Sequence, residues 1–131
     1  MPRMIISMSI LALFVIAGSG VSEGTNWMYL IENGKGDKCY IDIDSIKRTS
    51  PGMMQVVRKI ESDKSQKVSS LVSYLEVDCE GSRIKSIKET TNFNDGEVTT
   101  VQGKNEFQPV ESDDIEESLV EFVCSLKKTG Q

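Results

Sequence analysis

The sequence predicts an α+β domain: a small antiparallel β-sheet with one C-terminal α-helix packed on it. Three observations lead there. Short runs of alternating apolar and polar residues, each bounded by turn residues, occupy most of the chain from Asn26 to Val110. One run of helical period closes it, with Ile115, Leu119, Phe122 and Leu126 spaced by four, three and four. Strands followed by a single terminal helix imply a helix laid across one face of the sheet.

The first 22 residues stand apart. Arg3 supplies a short positive start, Met4 to Ala17 is almost wholly apolar, and Gly18-Ser19-Gly20-Val21-Ser22 ends the run with small residues. This is the order of a secretory signal peptide, spanning residues 1–22, with cleavage after Gly20 or Ser22. The alternative, an uncleaved anchor, is disfavoured because the apolar core falls short of the roughly 20 residues that span a bilayer. Residues 23–131 then form one domain, of about 109 residues, with no stable membrane anchor after cleavage.

Each element follows from its residues. Trp27, Tyr29 and Ile31 alternate and predict a half-buried strand, ended by the turn Asn33-Gly34-Lys35-Gly36-Asp37. Cys39, Ile41 and Ile43 resume the alternation on one face, with Tyr40 and Asp42 on the other. Asp44-Ser45-Ile46 reads as a capped or short helical turn. Pro51-Gly52 turns the chain into a strand from Met53 to Ile60, and a polar connection follows from Glu61 to Lys67. Val68 to Cys79 is the longest strand candidate, and its apolar residues on both faces suit a central position. Ser82 to Phe93 forms the next strand, where Ile84 and Ile87 break the alternation and call for a bulge. Asn94-Asp95-Gly96 is the clearest hairpin turn and leads to Glu97–Gln102. Phe107 to Val110 leads into the helix. Asp113 and Glu116 make a capping-box pattern, acidic residues fill its first turn and Lys127-Lys128 its last, and Gly130 ends it.

Composition removes several chemistries. The chain contains no histidine, so neither a Ser-His-Asp nor a Cys-His catalytic set can be built within it. The net charge is −5, and loss of Arg3 with the leader makes it −6. An acidic exported domain argues against nucleic acid and anionic membranes as partners.

Three cysteines, Cys39, Cys79 and Cys124, sit in a chain bound for an oxidising compartment. A bridge between Cys79 and Cys124 would tie the helix to the longest strand, worth roughly 3–4 kcal/mol in the chain-entropy picture. Two buried thiols are the alternative. Trp27, Cys39-Tyr40-Ile41-Asp42, Ser45-Ile46, Val56-Val57-Arg58-Lys59, Glu76-Val77-Asp78-Cys79, Arg83, Gly96, Pro109 and Val123-Cys124 together form a recognisable pattern. The sequence resembles the bacterial surface-adhesin protein E-like family over nearly the whole mature chain. The resemblance implies a small antiparallel sheet with a C-terminal helix, supports the Cys79–Cys124 pairing, and implies a cell-envelope location. It also implies binding of host extracellular proteins, the namesake activity, although many members look like plain exported domains. Cys39 is an addition to the usual pattern.

Candidate sites follow. Asp42 and Asp44 could face one way, but no calcium-loop spacing surrounds them, and local capping by Asp44 is the simpler role. With Cys79 and Cys124 paired, Cys39 is left as a free or intermolecular thiol. On an edge strand it could link two copies into a homodimer; otherwise it is a buried core thiol. Trp27, Tyr29 and Tyr40, with Tyr74, are candidates for an aromatic binding surface or for half-buried sheet positions. Lys47-Arg48 and Arg58-Lys59 are basic islands, read first as solvated faces. No catalytic residue, cofactor or metal site is assigned. The expected function is an exported, non-enzymatic envelope binding module, in the periplasm or at the cell surface, acting on an extracellular or envelope protein through a sheet face or edge. The alternatives are a periplasmic accessory or assembly subunit and a small carboxylate enzyme.

Overall fold

The computed structural model of the chain describes residues 26–62 and 67–127. The leader at 1–22 and the helix stop at Gly130 lie outside the described residues. The strands are β1 (Trp27–Glu32), β2 (Lys38–Ser50), β3 (Met53–Glu61), β4 (Val68–Asp78), β5 (Arg83–Phe93), β6 (Val98–Gln102) and β7 (Phe107–Pro109), followed by helix α1 (Asp114–Lys127). They form one antiparallel sheet in the order β1-β2-β3-β4-β5-β6, with β7 also pairing β5. The architecture is the expected sheet plus helix, with seven strands rather than a small sheet.

The core lies between the sheet and the helix. Ile41, Met54, Val56, Leu75, Val77 and Ile84 meet Leu119 and Val123 there. Ile115, Leu119 and Val123 are the fully buried line of the helix, while Phe122 is only half-buried. Cys79 and Cys124 are joined, with Cα atoms 5.7 Å apart across 45 residues of sequence. The bridge fastens the chain just after β4 to the last turns of α1.

The backbone departs from expectation at three places. The alternation of Trp27, Tyr29 and Ile31 is broken by a bulge at Leu30: Tyr29 opposes Tyr40, and Ile31 opposes Cys39. One extra residue flips all that follow to the other face, so Ile31 leaves the side shared by Trp27 and Tyr29. The expected turn at Asp44–Ile46 is instead an irregular stretch within β2. Ser45 Oγ there accepts the Val57 N–H at 2.8 Å and donates to the Asp42 carbonyl at 2.6 Å, taking the place of ladder bonds. Asp42 Oδ1, not Asp44, accepts the local amide, that of Asp44 at 3.1 Å. At the helix start, Asp113 Oδ1 accepts the Ile115 N–H at 3.2 Å. Glu116 reaches the Glu111 N–H instead of that of Asp113. The bulge expected in β5 is present: Tyr74 opposes Lys88 and Leu75 opposes Ser86, leaving Ile87 as the extra residue.

Candidate binding surface

Residues opposite one another in an antiparallel ladder share a face. The ladder therefore sorts the side chains into two sets. Cys39, Ile41, Val56, Arg58, Leu75 and Val77 face the helix. Tyr29, Tyr40, Lys59, Val72 and Thr90 form a row on the opposite face, and Trp27, Asp42, Val57, Tyr74 and Lys88 form the next. No described helix covers that second face.

The helix-free face carries an alternation of rings and cations. Tyr29 and Tyr40 meet edge to face, with centroids 5.8 Å apart at 70°. Lys59 Nζ lies 4.8 Å from the Trp27 ring centre and 5.2 Å from that of Tyr40. Farther across, Lys88 Nζ sits 4.3 Å above Tyr74. Phe107 receives both Arg83 and Lys85, each at 4.9 Å. Carboxylates moderate the charge: Lys59 pairs with Glu61 at 3.3 Å, and Lys85 with Glu76 at 3.1 Å. Tyr29 is 53% exposed. Rings held by cation–π and edge-to-face contacts lose little entropy when a partner covers them. Tyr, Trp and Arg are also the residues that dominate protein–protein binding energy.

The structure thus sets Trp27 and Tyr40 about one lysine, with Tyr29 against Tyr40, and places Tyr74 on the same face. The pair Arg58-Lys59 is split across the sheet, because successive strand residues point to opposite sides. Lys59 joins the aromatic face, while Arg58 is buried beneath the helix side and is not a solvated residue. Sequence reading missed Phe107 and its two cations. Its signal was faint, because β7 spans only three residues.

Cys39 lies on β2, between β1 and β3, and is fully buried. Burial pushes its thiol up to about 11, and nearby Arg58 only partly opposes this while Asp113 adds to it. The edge position on which a Cys39-linked homodimer depended is therefore not met. Asp78 is the other shifted group. Its carboxylate is held below the usual range, first by the Arg83 side chain and then by the Gly81 N–H. Arg83 donates to Asp78 Oδ2 from Nε at 3.0 Å and from Nη2 at 2.7 Å. Both shifts favour the unreactive form at neutral pH: a protonated thiol and a paired carboxylate. Asp44 accepts a bond from Asn26, and among the described residues no three Cys, Asp or Glu side chains converge as a metal site.

At the far edge, all of β6 is exposed, with Val98 and Val101 each 57% accessible. Among the described residues no helix is long and apolar enough to cross a membrane.

The sequence profile of the family described as surface-adhesin protein E matches residues 27–125. Solved structures of Haemophilus influenzae protein E share the fold. One crystal form superposes with a TM-score of 0.58 at 15% identity, covering 77% of this chain and 88% of the other. A selenomethionine form gives 0.56 at 14% identity, covering 77% and 87%. No curated protein sequence matches the chain.

Proposed function

The chain belongs to the surface-adhesin protein E family, and from that premise we propose that it is an exported, non-enzymatic binding module that engages a protein partner through its helix-free sheet face. The observation that carries this reading is the pairing of Lys59 with Trp27 and Tyr40, and of Tyr40 with the exposed Tyr29, on the sheet face that no described helix covers. Family membership supports an adhesin-like role at the cell surface. The partner is then an extracellular or host protein presenting apolar and acidic groups to rings and ammonium ions. The naked edge at β6 offers a second point of attachment by strand addition.

The mature protein, immobilised, should be exposed in parallel to host extracellular-matrix extracts and to extracts of the producing cell's own envelope. Saturable retention of a matrix protein supports the adhesin role. Retention of an envelope subunit alone points instead to an accessory or assembly role. Failure to retain either removes the support for a binding module.

A further inference from the structure

A single helix roughly 10 Å across cannot cover six strands spaced roughly 4.8 Å apart. Helix α1 packs chiefly over β1, β2 and β3. Beyond it the same face opens into a cavity of about 360 Å³ between β5, the segment joining β6 to α1, and the start of α1. Small-molecule sites begin at about this size.

Arg58 lines that cavity and is only 7% exposed. Its Nη2 donates to Ser73 Oγ at 3.4 Å, and its Nε has no hydrogen-bond partner. Among the described residues, no carboxylate lies within ion-pair distance of it. A guanidinium removed from water without a carboxylate carries a heavy desolvation penalty, and an incoming carboxylate would relieve it with two parallel bonds. The remaining charges dictate what else that carboxylate must carry. Glu89, Glu106, Glu111 and Glu116 line the same cavity, against one further cation, Lys104. Three of these carboxylates have local partners: Glu89 accepts from Ser86 Oγ, Glu106 from Gln108 and Glu116 from the Glu111 amide. Such a set of carboxylates repels a simple anion and attracts ammonium groups.

The wall is preformed. Gly103 N–H bonds the Ile87 carbonyl at 2.9 Å, and Asn105 N–H bonds that of Ser86 at 3.0 Å. A Cβ on Gly103 would collide with the Ser86 carbonyl oxygen, so only glycine permits this approach. We propose that the cavity beside Arg58 binds a small zwitterion, an α-amino acid with a cationic side chain. Its carboxylate sits on Arg58 and its ammonium groups face the glutamates. This site lies on the opposite side of the sheet from the aromatic surface, so the two stand or fall separately.

L-lysine titrated into the ¹⁵N-labelled protein should produce saturable amide shifts at Ser86, Gly103 and Asn105. Acetate and cadaverine each carry half of the chemistry and should bind at least about ten-fold more weakly. Arg58→Met should abolish the L-lysine shifts. Should that variant fail to fold, Glu89→Gln and Glu106→Gln together test the site: L-lysine should weaken at least about three-fold while acetate does not weaken. The proposal is overturned if L-lysine gives no saturable shift, if acetate or cadaverine matches it, or if it binds the folded variants undiminished.

Discussion

Asp78 and Cys39 show what individual groups contribute. The Asp78 carboxylate closes the β4–β5 turn by accepting the Glu80 and Gly81 amides and the Arg83 guanidinium. Its folded pKa is depressed, so its contribution is present above the unfolded value and is lost as pH falls through the folded one. Asp78→Asn should lower stability at pH 7 by about 1–2 kcal/mol, a modest figure because Arg83 is half solvated. In urea melts the gap from wild type should narrow below about pH 4 and close as Asp78 protonates. Cys39 has the opposite sign. Its folded pKa is raised to about 11, so its contribution is intact below the ordinary thiol value of 9.0 and is lost as pH rises from there to about 11. Cys39→Ala should therefore show a flatter loss of stability over that alkaline range. In the native protein at pH 8, Cys39 should resist thiol reagents that label it promptly after unfolding.

Each element shows which features were legible in the chain and which were not. The helix was plain, because one 3.6-residue stripe suffices to define it, although the buried line runs through Ile115, Leu119 and Val123 while the expected Phe122 and Leu126 are only half-buried. The bulge at Ile87 was legible because two apolar residues broke an otherwise regular alternation. The bulge at Leu30 was hidden, because Trp27, Tyr29 and Ile31 alternate faultlessly and only pairing with β2 reveals the slip. Residues 44–46 looked like a turn for a sound local reason, since Asp and Ser do bond nearby backbone. Pairing of β2 with β3 on either side holds them extended. The fate of Arg58 depended on strand parity and on how far one helix reaches, and neither is written in a dipeptide. The disulfide joins the helix to the end of the central strand. Cys79→Ala or Cys124→Ala should cost roughly 2–5 kcal/mol in urea melts. Non-reducing peptide maps should recover Cys79 linked to Cys124.

At the scale of the whole molecule, the two faces of the sheet differ. One face is packed by α1 chiefly over β1, β2 and β3 and pinned by Cys79–Cys124; the other carries the rings and cations and no described helix. An exported location fits this division, and the protein recovered outside the cytosol should begin at Val21 or Glu23 when its N-terminus is sequenced. The central claim is that the aromatic face is the binding surface, and it is tested most directly by alanine substitution there. Tyr29→Ala, Tyr40→Ala and Lys59→Ala, combined, should weaken binding to the captured matrix protein by on the order of ten-fold or more, while circular dichroism shows the fold retained. A folded triple variant that binds as tightly as wild type would contradict the claim.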